Sequence, residues 1–287
     1  MGGYDFAMQY GRPSRTAMGA AGHRAAHQVL ERGFIFSDPL ALRILGADAE
    51  AAVHAAQNDP SRRALRIFVA IRSRFAEDAL AATVAHGVRQ LVVLGAGLDT
   101  YAYRGALKDS LSIFEVDHPA TQAWKRERLA AAAIPLPSTL KFAPVDFEHE
   151  ILADRLAAAG FDPTQQTFFT WLGVVPYLAD KAVFATLSFI ARVAGGAHVV
   201  FDYANPLASI SGGARAAHEA LAKRVAAVGE SFRSFFETDL LCARLATLGF
   251  RDIEDLGPAQ IAARFFPSLV SAASERGGHI LRASTTQ

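Results

Sequence analysis

Apolar and polar residues alternate along the chain on two length scales. Short apolar runs, such as residues 91–94 (LVVL) and 112–116 (SIFEV), end in glycine or in an acidic residue. Such runs are typical of buried parallel strands that lead into a turn. Longer segments between them carry apolar residues on one helical face, most clearly residues 61–86. Strands that alternate with helices predict an α/β fold with a doubly wound, mostly parallel sheet.

The same pattern sets the expected bounds of the elements. The predicted strands cover residues 91–94, 112–116, 140–145, 167–175, 197–202, 251–256 and 279–283. The predicted helices cover residues 13–32, 37–45, a segment from 48, 61–86, 151–160, 182–194 and 239–249, with an alanine-rich helix within 205–229. Gly19 and Gly22 predict a break in the first helix, because glycine disfavours a helix interior.

A glycine-rich turn follows the first predicted strand. It reads Gly95-Ala96-Gly97, and Asp99 comes two residues later. Glycine permits a sharp turn and lets a ligand approach the backbone without a Cβ atom in the way. The dinucleotide fingerprint G-x-G-x-x-G is incomplete, since its third glycine position holds Thr100. By itself the turn leaves open both a nucleotide-like ligand and an ordinary strand-to-helix connection.

Acidic residues end the next two predicted strands. Asp117 stands 20 residues after the glycine turn, where a carboxylate can accept both ribose hydroxyls of an adenosine. Glu115 is an alternative ribose ligand, and Asp117 is also a good N-cap for a following helix. Asp146 and Phe147 follow the third strand. Because the carboxyl ends of parallel strands meet at one edge of a sheet, these residues predict a shared crevice.

Composition narrows the class of protein. The 287 residues are 51% hydrophobic and 20% charged, with a formal net charge of +1. These values fit a globular enzyme and argue against a nucleic acid or an anionic membrane as partner. The single cysteine, Cys242, excludes an intrachain disulfide. We expect a cytoplasmic protein, since no leader-like segment opens the chain and no apolar run of about 18 residues follows.

The histidines do not predict a metal site. His23 and His27 are four residues apart and could share a helix face, but the other seven are scattered. Two ligands without a third make a poor metal site. We therefore expect no metal.

Three motifs together resemble those of a known family. LGAGLDTYAYR (residues 94–104), FEVDHP (114–119) and VDF (145–147) are similar to the cofactor-binding motifs of the leucine carboxyl methyltransferase family. The resemblance extends from about residue 13 to the C-terminus. It implies a Rossmann-like seven-stranded sheet with an antiparallel final strand and S-adenosyl-L-methionine as cofactor. It also implies one domain, 1–287, made of a helical cap (13–86) and a sheet core (87–287) with a substrate-cap insertion at about 205–236.

The resemblance also implies which residues contact the cofactor. They are Arg72, Gly95, Ala96, Gly97, Asp99, Glu115, Asp117, Asp146, Phe147, Trp171 and Leu172. Arg72 resembles the arginine that meets the methionine carboxylate, for which a planar guanidinium is well suited. From the residues alone, Arg72 and Arg74 are better explained as solvated helix charges; the resemblance reverses this for Arg72, and Arg74 is the second candidate. Trp171 and Leu172 stand where many relatives carry a glutamate, so a polar contact is missing there.

The nucleophile decides whether a general base is needed. The resemblance implies a carboxylate or hydroxyl acceptor. A carboxylate is already ionised at neutral pH, whereas a phenol would benefit from a base. Tyr177, His118 and His27 are candidate catalytic residues by location. Each also has a structural interpretation: Tyr177 as a pocket wall, His118 as a helix cap, and His27 as part of a helix face.

The acceptor must be recognised by the cap and the insertion. Both are rich in alanine and phenylalanine, which favours a small, largely apolar molecule such as a natural product. Phe232, Phe235 and Phe236 could instead pack the insertion onto the sheet. Two other classes stay open: a nicotinamide-dependent oxidoreductase, disfavoured by the absent third glycine, and a catalytically silent cofactor-binding protein. A homodimer also stays open.

Overall fold

The protein is built on a twisted seven-stranded sheet. In this computed structural model the described residues are 14–146, 149–210, 212–227, 229–267 and 277–286. The strands are β1 (Gln90–Leu94), β2 (Ser112–Asp117), β3 (Leu140–Pro144), β4 (Thr167–Trp171), β5 (Ala197–Ala204), β6 (Asp252–Leu256) and β7 (Gly278–Ser284). Their order across the sheet is β3-β2-β1-β4-β5-β7-β6. β1 to β5 are parallel, and β7 runs antiparallel to both β5 and β6, which confirms the predicted fold class.

Helices cover both faces of this sheet. They are α1 (Arg15–Leu30), α2 (Leu40–Leu45), α3 (Asp48–Asn58), α4 (Arg63–Ala85), α5 (Tyr101–Arg104), α6 (Pro119–Ala131), α7 (Leu152–Ala158), α8 (Asp180–Ala191), α9 (Gly212–Ala227), α10 (Thr238–Leu248) and α11 (Pro258–Phe265). The predicted break in α1 is wrong. Gly22 lies against α3, where an added Cβ would approach the Ala52 Cβ to 3.3 Å, so this glycine permits close helix packing within a continuous helix.

The strands supply two apolar cores by simple alternation. Leu91 and Val93 face one core, which α1, α2 and α4 cover, whereas Val92 and Leu94 face the other, beneath α7, α8 and α10. Successive residues of a strand point to opposite faces. The unbroken apolar run from Leu91 to Leu94 therefore reflects burial on both faces, as expected for a parallel strand between helical layers.

The chain reverses direction across the sheet at β1. From β1 it proceeds outward to β2 and β3, and it then returns to the other side of β1 to form β4. In open α/β sheets this switch point leaves a crevice at the carboxyl ends of the flanking strands. The crevice therefore lies beside the tips of β1, β2 and β4.

The fourth strand is shorter than predicted. It ends at Trp171 and is followed by a turn, in which Gly173 has a φ of +72°, and by a single helical turn at Val175–Tyr177. The apolar residues 172–175 continued the strand pattern, but a left-handed glycine conformation ends the ladder. Leu172 and Gly173 consequently lie at the crevice.

Candidate active site

The tips of the parallel strands open into a cavity of about 580 Å³. The glycine turn after β1, Asp117 at the end of β2, Asp146 after β3 and Leu172 after β4 all line it. Ala96 and Asp99 line it as well. The structure thus brings together most of the strand-tip residues that the sequence analysis selected. Glu115 and Trp171 do not line the cavity, and Phe147 lies outside the described residues.

The glycine turn leaves no room for side chains. Gly95 and Gly97 have φ values of +65° and +44°, in the left-handed region. A Cβ on Gly95 would lie 2.3 Å from Val174 Cγ2, and one on Gly97 would lie 2.9 Å from the Ala17 Cβ. The turn therefore needs glycine at both positions, and it exposes bare backbone to the cavity.

Asp117 holds this turn against β2. Its Oδ2 accepts a hydrogen bond from the Gly97 N–H at 2.5 Å, and its Oδ1 accepts one from the His118 N–H at 2.7 Å. Burial raises the pKa of the Asp117 carboxyl, opposed by these two backbone donors. Each carboxylate oxygen has a second lone pair, so the group can also accept hydrogen bonds from a ligand in the cavity.

His118, rather than Asp117, is the N-cap of α6. Its Nδ1 accepts a hydrogen bond from the Ala120 N–H at 3.2 Å. His118 also lines the cavity. Its structural interpretation is therefore supported, and its catalytic one stays a prediction.

Glu115 does not line the cavity. Its carboxylate is 1% exposed, lies 2.7 Å from Lys125 Nζ and accepts a hydrogen bond from the Tyr103 hydroxyl at 3.2 Å. Burial raises the pKa of this carboxyl, whereas the Lys125 ammonium opposes the rise. Glu115 thus forms a buried ion pair between β2 and α6 and leaves Asp117 as the acid of β2 at the cavity.

Arg72 brings a buried positive charge to the cavity, on the side of the glycine turn that lies opposite Asp117. It projects from α4 and lines the cavity, and its Nη1 donates to Asp202 Oδ2 at 2.8 Å. Its Nε has no hydrogen-bond partner among the residues the structure describes. The competing candidate, Arg74, is exposed and paired with Asp78 on its own helix at 2.7 Å. Of the two arginines, only Arg72 is at the site.

Two adjacent residues at the end of β4 have different environments. Trp171 is fully buried in the core beneath α8, with its ring 6.2 Å from that of Phe201, and does not line the cavity. Leu172 has the opposite orientation and lines it. This is the strand alternation again, so of the predicted pair only Leu172 can contact a ligand there.

Tyr177 forms an aromatic wall of the cavity. Its ring centroid lies 5.3 Å from that of Phe232, in the insertion between β5 and α10. Burial raises the pKa of the Tyr177 phenol above its usual range, so the hydroxyl remains protonated and can donate a hydrogen bond. Phe235 packs against Phe232, whereas Phe236 is buried against Tyr203. Only part of this aromatic segment therefore packs into the core.

His27 lies away from the cavity. It is fully buried, with Nδ1 3.2 Å from Glu31 Oε2 and with Nε2 accepting a hydrogen bond from the Ile35 N–H at 3.3 Å. Burial lowers the pKa of this imidazole. The geometry gives His27 a structural position and does not support it as a catalytic residue.

The sequence predicts a helical cap and a substrate-cap insertion, but not the contact that joins them into the roof of the cavity. Glu230, in the insertion, accepts hydrogen bonds from the backbone N–H groups of Arg15 and Thr16 and from the Thr16 hydroxyl. It thereby closes the N-terminus of α1 over the strand tips. The only sequence signal was Ser14, which caps α1, because a contact across more than 200 residues leaves no local pattern.

The insertion is also fastened to the turn after β4. The Arg233 N–H donates to the Pro176 carbonyl at 2.7 Å, and the Ser234 hydroxyl donates to the Val175 carbonyl at 2.8 Å. Arg233 lines the cavity. The insertion therefore forms one wall of the site, as expected for an element that contacts the acceptor.

The described part of the chain has neither a metal-binding cluster nor a membrane-spanning helix. No group of three or more His, Cys, Asp or Glu side chains there could hold a metal ion. Among the described helices, none combines the length and apolar character needed to cross a bilayer.

The fold and the cavity define an α/β protein with a ligand site at the switch point of its sheet. The sequence profile of the leucine carboxyl methyltransferase family matches residues 17–191. This match covers more than half of the chain and includes β1 to β4 with the residues at their tips. The chain belongs to the leucine carboxyl methyltransferase family.

Two relatives and one solved structure place the family match in context. YktD of Bacillus subtilis (strain 168), named as a candidate S-adenosyl-L-methionine-dependent methyltransferase, is 36% identical over 197 residues, 68% of this chain and 64% of YktD. A Mycolicibacterium gilvum protein with the same description is 32% identical over 62% of this chain and 59% of its own length. The alignments thus span less than two thirds of these two relatives.

The fold has a solved counterpart over nearly its full length. The crystal structure of a candidate methyltransferase from Thermobifida fusca YX superposes with a TM-score of 0.58 over 97% of both chains, at 15% identity. At this identity the likeness concerns the fold alone.

Proposed function

We propose that this protein is an S-adenosyl-L-methionine-dependent O-methyltransferase that acts on a carboxylate or hydroxyl group of a small, largely apolar acceptor. The observation that carries the proposal is the buried Arg72 guanidinium, which lines the cavity and has an N–H group without a partner in the described residues. A buried donor of this kind is costly unless a ligand satisfies it.

The cavity residues fit the chemistry of this cofactor. Arg72 would bind the carboxylate of the amino-acid end, since a guanidinium pairs well with a carboxylate. Asp117 would accept hydrogen bonds from the ribose hydroxyls. Asp117 ends β2, and Arg72 packs against Gly173 in the turn after β4. Because β2 and β4 flank β1, the two groups lie on opposite sides of the Gly95–Gly97 turn, whose bare backbone allows adenosine to approach closely.

The protein's contribution to catalysis would be orientation and exclusion of water. When bound, the cofactor supplies an electrophilic methyl group on a sulfonium whose positive charge is lost on transfer. Holding the acceptor oxygen close to that carbon is worth about 7–11 kcal/mol. The roof formed by α1 and Glu230 covers the strand tips and restricts the access of water.

The acceptor would lie against the aromatic wall. Tyr177 lines the cavity with its ring packed against that of Phe232, and the protonated Tyr177 hydroxyl can donate a hydrogen bond to an acceptor oxygen. A carboxylate acceptor needs no general base, because it is ionised at neutral pH. For a phenol acceptor, His118 is the candidate base at the cavity, and its Nδ1 would have to release the Ala120 N–H in order to take up the proton.

The proposal is tested by cofactor binding and methyl transfer with the full chain. We expect calorimetry to detect S-adenosylhomocysteine at micromolar concentrations, and Arg72→Met to weaken it by about 10- to 100-fold. Arg74→Met, on the same helix but away from the cavity, should bind like the wild type. Labelled S-adenosylmethionine with a panel of aromatic acids and phenols should yield methyl esters or ethers.

Other outcomes would contradict this assignment. Micromolar binding of NAD without binding of S-adenosylhomocysteine would favour an oxidoreductase. Tight S-adenosylhomocysteine binding without turnover on any acceptor would favour a catalytically silent protein.

A further inference from the structure

Asp202 is a buried carboxylate beside the cavity that no motif of the sequence analysis included. It is 4% exposed and lies in β5, next to β4. The register pairs Trp171 with Phe201, so Asp202 follows directly alongside Leu172, where the tip of β4 carries no acidic residue. The carboxylate at this edge of the cavity therefore comes from the neighbouring strand.

Both oxygens of Asp202 are bonded to groups that shape the cavity. Oδ2 accepts a hydrogen bond from Arg72 Nη1 at 2.8 Å, and Oδ1 accepts one from the Gly173 N–H at 2.5 Å. One side chain thus joins α4 to the turn after β4. Arg72, Leu172 and Gly173 all line the cavity, whereas Asp202 itself does not.

The absence of a side chain at Gly173 completes this arrangement. A Cβ there would lie 2.5 Å from Arg72 Nη2, and the φ of Gly173 is +72°. The guanidinium therefore packs against the turn through its two Nη atoms, and Asp202 bonds to Nη1 as well. A long arginine side chain has many rotamers, and two independent constraints select one of them.

We propose that Asp202 is the positioning residue of the cofactor's amino-acid end, because it aims the Arg72 guanidinium and fixes the Leu172-Gly173 turn. The inference rests on the proposed function. Removing the charge of Asp202 would leave a buried guanidinium without its counter-ion, and the Arg72 side chain would leave the rotamer that directs it at the cavity. The loss should concern the amino-acid end of the cofactor and not the adenosine end, which lies at Asp117 and the glycine turn.

Two ligands separate these ends. S-adenosylhomocysteine carries the amino-acid carbons, whereas 5′-methylthioadenosine shares the adenosine and the thioether but lacks them. We expect Asp202→Asn to weaken S-adenosylhomocysteine by about 10- to 100-fold in calorimetry and to leave the affinity for 5′-methylthioadenosine within about twofold. In kinetics, the KM for S-adenosylmethionine should rise far more than kcat falls.

Matched variants complete the experiment. Asp255→Asn removes a comparable sheet carboxylate, bonded to Tyr203 and His279 away from the cavity, and should not change the ratio of the two affinities. Arg72→Met combined with Asp202→Asn should be no worse than Arg72→Met alone, because both act through one guanidinium. If Asp202→Asn does not fold, Gly173→Ala displaces the same guanidinium without removing a charge. It should lower the affinity for S-adenosylhomocysteine relative to that for 5′-methylthioadenosine.

The outcomes distinguish the inference from the function on which it rests. The role of Asp202 would be overturned if Asp202→Asn lowered the affinities for S-adenosylhomocysteine and 5′-methylthioadenosine equally. It would also be overturned if the ratio of these two affinities stayed unchanged in both Asp202→Asn and Gly173→Ala. Either result would leave the proposed function intact. If the wild type bound neither ligand, the proposed function itself would fail.

Discussion

Asp117 combines roles that the sequence treats as alternatives. At the end of a strand, an aspartate before Pro119 is equally typical of a ribose ligand and of a helix cap. The structure assigns the cap to His118 and uses both Asp117 oxygens to hold the backbone of Gly97 and His118. The carboxylate therefore stabilises the glycine turn and faces the cavity at the same time.

Asp117→Asn should consequently affect both stability and binding. An amide has only one acceptor oxygen, so one of the two backbone N–H groups loses its partner. We expect the free energy of unfolding in urea to fall by about 1–3 kcal/mol and the affinity for S-adenosylhomocysteine to fall by a similar amount. The exposed Asp109→Asn is the control, and both quantities should stay unchanged in it.

The free energy of unfolding and the affinity for S-adenosylhomocysteine together distinguish the two roles of the Asp117 carboxylate. A stability loss with unchanged affinity would mean that Asp117 only supports the turn.

At the scale of elements, β2 and α6 are joined by the Glu115–Lys125 ion pair. Both side chains are 1% exposed, and Tyr103 donates to the same carboxylate. Buried pairs stabilise little in total, but loss of one partner leaves an uncompensated charge in the core. The pair thus fixes how α6 sits beneath the strand that carries Asp117.

Lys125→Met should destabilise the protein by about 3–5 kcal/mol in urea unfolding. The double change Glu115→Met with Lys125→Met should recover most of this loss, because no charge remains buried. The double variant should also retain its affinity for S-adenosylhomocysteine, since Glu115 does not line the cavity. Equal instability of the single and double variants would show that an unpaired charge is not the cause, and weak binding by the folded double variant would return Glu115 to the ribose site.

A second contact between distant elements joins the N-terminal helical cap to the insertion between β5 and α10. Glu230 bonds to the first backbone N–H groups of α1, which have no partner inside the helix. A carboxylate at this end is also favoured by the helix dipole. The insertion between β5 and α10 and the first helix of the chain therefore cover the cavity together.

At the scale of the whole molecule, the sheet and its strand tips could be predicted because their signals are local. A parallel strand buried on both faces is a continuous apolar run, and a turn that exposes backbone requires glycine. Gly95, Gly97, Asp117 and Asp146 stand directly after such runs. Their convergence follows from strand order, which the family resemblance also implied.

The remaining features depend on contacts between distant parts of the chain. Asp202 and Arg72 are 130 residues apart, and Glu230 and Arg15 are 215 apart, so no spacing rule could pair them. The family resemblance places both Trp171 and Leu172 at the cofactor, because they stand where many relatives carry a glutamate, but the end of β4 directs them to opposite faces. Gly22 suggested a helix break because its close neighbour, Ala52, belongs to another helix.

The most direct test of the account is a crystal structure of the full chain with S-adenosylhomocysteine. We expect the ribose hydroxyls to lie within about 3.2 Å of the Asp117 carboxylate and the amino-acid carboxylate to lie at the same distance from the Arg72 guanidinium. The adenosine should rest on the backbone of Gly95 and Gly97. Ligand density outside the cavity at the strand tips, or a cavity that stays empty at saturating ligand, would contradict the central claim.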